Sequence, residues 1–229
     1  MRSWLLLLAS LLSFASCFRA APRREAAVVR TVVLTPSTSD LPAGWSAEDF
    51  RGVIQRAVDL WSYPKIPCGI RVVVDDPRPE WRAVQDGTNL IAVRGHSWCH
   101  NGRCGATSTY PLRAMGMTTT YPVGATGRAV TEADIEINGV FFQLVDPTHP
   151  ADPTSPRRPV PLESVLIHEI GHVLGMADVC GETRTESGRP ITSTCSAADR
   201  QRAMFASGLH DAPAPADVAA LCAIYPPRS

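Results

Sequence analysis

The chain carries no surplus of either charge. Lysine plus arginine and aspartate plus glutamate stand at 22 each in 229 residues, so no global field would draw it to nucleic acid or to an acidic membrane. Lysine is nearly missing, Lys65 being the only one. There are no internal repeats, which excludes a solenoid or a propeller. Nor is there an apolar run long enough to cross a bilayer as a helix; the stretch over residues 4–15 falls short. What remains is the length of one ordinary domain, enough to bury a sizeable core.

The short apolar run has its own meaning. "MRSWLLLLASLLSFASC" places Arg2 ahead of the apolar residues and small residues behind them, the order of an export signal over residues 1–17. "FASC" resembles a bacterial lipobox, in which Cys17 would be lipidated and become the mature N-terminus. Phe14 departs from the usual leucine, so lipidation and plain secretion both stay open. Residues 18–27 form a basic leader too short to fold, and a single domain is expected over 28–229. Either route takes the protein to the cell envelope or outside the cell, with a membrane contact only through a lipid on Cys17.

Export changes what the cysteines mean. Without Cys17 six remain, and an even number in an oxidising compartment favours disulfides. Local spacing pairs Cys99 with Cys104 and Cys180 with Cys195, which leaves Cys68 with Cys222.

Along the chain, "AVVRTVVLT" reads as a strand and "SAEDFRGVIQRAVDLWS" as an amphipathic helix. Ser46 caps that helix, and Phe50, Ile54, Ala57, Val58 and Trp61 make one apolar stripe. "GIRVVVDD", "TNLIAVRG", "AMGMTTTYP" and "EADIEING" read as four further strands. Residues 146–161 are proline-rich and read as an irregular surface loop. A helix is expected over 162–174, ended by Gly175, and a last one over 215–225. Strands before helices, with one crossover near the start, predict an α+β domain whose sheet packs on two long helices.

The chemistry sits in "LIHEIGHVLGMADVC". Four residues along a helix make about 400° of turn and about 6 Å of rise, so His168 and His172 project from one face and can reach a single divalent ion. Glu169 points about 100° away from His168; it is poorly placed as a ligand but well placed to hold a water. The bland alternative is a helix with two surface histidines. A random chain of this composition would hold HExxH with glycine and an acid or histidine at these offsets on the order of a few times in a hundred thousand.

"HEIGHVLGMAD" resembles the metzincin zinc peptidases, whose pattern is H-E-x-x-H-x-x-G-x-x-H. "AMFASG" with Met204 looks like the Met-turn of that family, which lies under the metal as an apolar floor. "VTEADIEING" and "PADVAALCAIYP" are similar to a strand and to the C-terminal helix of its matrixin branch, and "LPAGWSAEDFRGVIQRAVDLWS" to its first helix. The resemblance covers about residues 28–226, and only the zinc motif within it is highly specific. It implies a mixed twisted sheet with an edge strand along the cleft, one catalytic Zn2+, and hydrolysis of a protein or peptide substrate with Glu169 as general base. It leaves the need for calcium open.

Carried over residue by residue, His168 and His172 are the first two ligands, and Asp178 stands where the third histidine would be. A few small bacterial metzincins resemble this chain in that respect. A carboxylate with two histidines is a competent catalytic set; it lowers the site's charge to about +1 and makes the bound water less acidic. Asp178 as a helix-end cap is the competing reading, and Glu182, Glu186 and His210 are rival ligands. The resemblance places extended substrate along Ala114, Met115, Gly116, Met117 and Thr118, and makes residues 205–210 the wall of the main specificity pocket. Two further patterns compete with the disulfides. "IPCGI" around Cys68 faintly resembles a cysteine switch, and His96, Cys99, His100 and Cys104 could hold a second, structural zinc. The chain is expected to act as a monomer. A catalytically silent binding protein on the same scaffold, and a highly selective processing protease, are the alternatives to a general endopeptidase.

Overall fold

The computed structural model describes residues 30–62, 65–80, 82–105, 109–122, 130–180, 195–206 and 208–226. The export signal, its lipobox and the leader lie outside them. So do Glu182 and Glu186.

Strand β1 (Arg30–Pro36) leads to helix α1 (Ala47–Trp61) and back to β2 (Ile70–Val74), which pairs parallel to β1. Helix α1 starts where Ser46 accepts from the Asp49 backbone N–H at 3.1 Å, while Asp49 accepts from the Ser46 backbone N–H at 2.9 Å. This reciprocal cap satisfies two donors that a helix start otherwise leaves open. The expected stripe is buried, with Val53 added to it. Fully burying each of its large residues contributes about 1.5–3 kcal/mol.

Strands β3 (Asn89–Arg94), β4 (Gly116–Pro122) and β5 (Val130–Asn138) complete a mixed five-stranded sheet in the order β2-β1-β3-β5-β4. All pairings are parallel except the last: β4 runs antiparallel to β5 and forms one margin. Strand β3 is central and reads as the unbroken apolar run "LIAV", as a strand covered on both faces should.

A second, two-stranded sheet pairs β6 (Phe142–Val145) parallel with β7 (Arg158–Pro161). The expected irregular loop holds over 146–157 and is corrected only at its end, residues 158–161. Proline cannot donate to a ladder, so Pro159 and Pro161 hide the strand signal, yet a margin strand tolerates them. Val160, between them, is fully buried. Strand β7 runs straight into helix α2 (Leu162–Val173), and α3 (Pro215–Ile224) closes the fold.

Helices α1 and α2 cover one face of the large sheet. There Phe50, Ile54, Trp61, Leu166, Ile167 and Ile170 join Ile135 and Ile137 in a continuous core. The Trp61 indole donates to the Ile167 carbonyl at 2.8 Å, tying α1 to the turn of α2 just ahead of the histidines. The three cysteine pairs are Cys68–Cys222, Cys99–Cys104 and Cys180–Cys195, as spacing suggested. Cys68 therefore has no thiol with which to act as a switch, and Cys99 and Cys104 have none for a second zinc. Among the described residues no helix is long and apolar enough to cross a membrane.

Candidate metal centre

Helix α2 carries His168 and His172 on one face, with ring centroids 4.9 Å apart and planes nearly perpendicular. The helix ends because Gly175 takes φ +84°, a conformation that costs a residue with a Cβ. The chain turns back there and brings Asp178 over the histidines. Its Oδ1 lies 3.3 Å from His168 Nε2 and 3.4 Å from His172 Nε2. The helix-end cap is thereby set aside, since the backbone N–H groups of Gly175 and Met176 close the helix on the carbonyls of His172 and Gly171.

The hydrogen bonds behind the rings decide what the front can do. His168 Nδ1 donates to the Ala203 carbonyl at 2.8 Å, and His172 Nδ1 donates to the Met176 carbonyl at 2.9 Å. A carbonyl only accepts, so the proton of each neutral ring is on Nδ1 and the Nε2 lone pair faces Asp178. Two lone pairs and a carboxylate oxygen thus converge with no donor among them. The three ligand atoms lie within 4.8 Å of one another. A tetrahedral ion with bonds of about 2.0–2.1 Å holds its ligands about 3.3–3.4 Å apart. The two separations from Asp178 match that spacing.

Electrostatics agrees. The two imidazoles, His168 first, hold Asp178 well below the usual carboxylate range. Burial opposes a charged ring, but Asp178 and the charge on Glu169 more than offset it, and both histidines lie above their ordinary value. The cluster draws positive charge, as protons or as a metal ion.

The supports come from distant segments. Asp217, fully buried on α3, accepts from the Ala203 N–H at 2.7 Å and from Arg202 Nε at 2.9 Å. It therefore holds, from its N–H side, the residue whose carbonyl orients His168. Met204 lies beneath the helix against Gly171, where an added Cβ would collide with the methionine sulfur. The Val179 N–H donates to the Met204 carbonyl at 2.7 Å, joining the segment that bears Asp178 to that turn.

Glu169 is only 5% exposed. The Thr118 hydroxyl donates to its Oε2 at 2.6 Å. Both line a cleft of about 580 Å³ together with the histidines and Asp178. Ala114, Met115, Gly116, Met117 and Thr118 all line it too, although the regular strand begins only at Gly116. Ala206, Gly208 and Leu209, from the expected pocket wall over 205–210, line it as well, and Arg113 and Val165 do so without any sequence signal. His210 does not join the ligands; its Nε2 is buried and unpartnered among the described residues. The orienting carbonyls of Ala203 and Met176 leave no trace in sequence, because every residue has a carbonyl.

No family model matches the chain, and no curated protein matches it. Among solved structures, it is similar to the crystal structure of myroilysin at 14% identity and a TM-score of 0.37, over 91% of this chain and 97% of that one. At that level the likeness carries no conclusion.

Proposed function

We propose that the chain is an exported zinc endopeptidase of metzincin, matrixin-like type. The carrying observation is the convergence of two Nε2 lone pairs and an Asp178 oxygen beside the Glu169 carboxylate in one cleft. His168, His172 and Asp178 would hold the ion, and zinc so held supplies Lewis acidity, bringing the pKa of water toward neutrality and polarising a peptide carbonyl.

The chain's own groups do the rest. Glu169 takes a proton from the attacking water and returns it to the leaving amine. Met204 gives the ligands an apolar floor. Among the described residues strand β4 pairs only with β5, and its other margin is offered to the substrate. The Met115 carbonyl accepts from the Asn138 N–H across the ladder to β5, so by alternation Gly116, Thr118 and Thr120 turn their backbone groups outward. An extended peptide pairs there by main-chain hydrogen bonds, which give affinity with little sequence preference. Val165, Ala206 and Leu209 then favour an apolar side chain. Three disulfides fit an oxidising compartment.

The test is metal analysis with a peptide-library digest of wild type and Glu169→Gln. One zinc per chain in both proteins is expected, with turnover lower by about 10³-fold in the variant. A variant as active as wild type overturns the reading.

A further inference from the structure

We propose that Thr118 is the positioning residue for Glu169, and that it assigns proton traffic to Glu169 Oε1. The inference rests on the peptidase reading above. Glutamate has three side-chain torsions, and ordering such a chain costs up to about 2 kcal/mol. A general base must nevertheless stand within about 2.6–3.2 Å of the proton it takes. Two alternate residues on one face of β4 meet that need.

At Gly116 the strand is bare, and the Glu169 side chain lies against it. A Cβ built there would sit 2.6 Å from Oε1 and 2.8 Å from both Cγ and Cδ. At Thr118 the hydroxyl donates to Oε2 at 2.6 Å, with the Glu169 backbone carbonyl farther off at 3.3 Å. A hydroxyl has one hydrogen, and the nearer, charged acceptor takes it. Oε2 is therefore engaged, and among the described residues no donor engages Oε1. The carboxylate is clamped by shape on one side and by a hydrogen bond on the other.

The same strand would pair with substrate, but through its backbone. Removing the Thr118 hydroxyl leaves that margin intact, so the loss should fall on turnover and not on binding. Thr118→Val should lower kcat about 30-fold, the scale of one hydrogen bond to a charged group, with KM unchanged within about a factor of two. Thr118→Ser keeps the donor and should restore most of the rate. Thr118→Ala is a second loss variant should the valine protein fold poorly. Zinc content should stay at the wild-type value throughout.

A structural arm needs no activity. In crystals of Thr118→Val or Thr118→Ala, the Glu169 carboxylate should leave its place over residue 116, and in Thr118→Ser it should stay. A wild-type kcat in both loss variants, a loss that serine does not restore, or an unmoved carboxylate overturns the proposal. If Glu169→Gln retains turnover, the peptidase reading falls as well. If Glu169→Gln is inactive while Thr118→Val is not, this inference alone falls.

Discussion

Two clusters of titratable side chains lie on opposite faces of the large sheet, and they are built on opposite principles. Behind the sheet, β5 buries Glu132, Asp134 and Glu136, each 5% exposed or less. Every one is answered by donors. Glu132 accepts from the N–H groups of Asp86 and Gly87 at 2.6 and 2.8 Å. Asp134 accepts from the Leu90 N–H at 2.9 Å and the Tyr121 hydroxyl at 3.1 Å. Glu136 accepts from Arg94, Tyr110 and the Asn101 N–H. In front, His168, His172 and Asp178 are more exposed, and their acceptors face one another. A buried acid matched by donors is a structural fastener; acceptors that converge without a donor make a candidate binding site.

Four measurements break or sharpen this contrast. The largest effect is expected in front. Asp178→Ala should lose zinc retention and with it at least about 10³-fold of activity. Stoichiometric zinc in that variant would make the front cluster structural.

Next comes Glu136→Gln behind the sheet. It leaves the Arg94 guanidinium, 2% exposed, beside a neutral group. Breaking such a pair costs about 3–5 kcal/mol, measured by denaturant unfolding, with zinc content unchanged.

Asp134 gives a pH signature. Desolvation pushes its pKa up to about 7 from an ordinary 3.8, against the pull of Leu90 and Tyr121. The folded state then holds a proton that the unfolded chain has released, so this group's contribution is full below about pH 4 and lost as pH rises through 7. At 1.36 kcal/mol per tenfold change in acidity, a rise of that size comes to about 4 kcal/mol. Asp134→Asn should match wild type in acid and exceed it at pH 8 by up to about 4 kcal/mol. A constant difference across that range would count against the assignment.

The smallest effect belongs to the loop that carries His100 and Asn101 to Glu136. Cys99 and Cys104 are only 5 residues apart, so replacing both by serine should cost about 2 kcal/mol on the loop-entropy model. Activity should hold within about twofold, because the loop meets the back of the sheet and not the cleft.

Much of this was legible in the chain, and unevenly. The helix spacing of His168, Glu169 and His172, the Ser46 cap, the stripe of α1 and the cysteine pairing were readable because each depends on neighbours or on a small set of partners. Strand β7 was not, because prolines mask its signal. The covering of β5's acidic face was not either: alternation with Ala133, Ile135 and Ile137 marks a strand with a polar side, and only the loops packed behind it show that this side is dry. Thr118 appeared only as one residue of a strand, since nothing local tells a threonine that its acceptor is 51 residues away.

By itself, then, the sequence determined the spacing of the candidate metal ligands, whose geometry follows from the pitch of a helix and the turn that Gly175 permits. Tertiary packing alone decided which carbonyls hold the imidazoles, which hydroxyl clamps Glu169 and which acids are used up as fasteners. The reason is range: helical pitch is a property of adjacent peptides, whereas a hydrogen bond between distant segments exists only once the core has set them side by side.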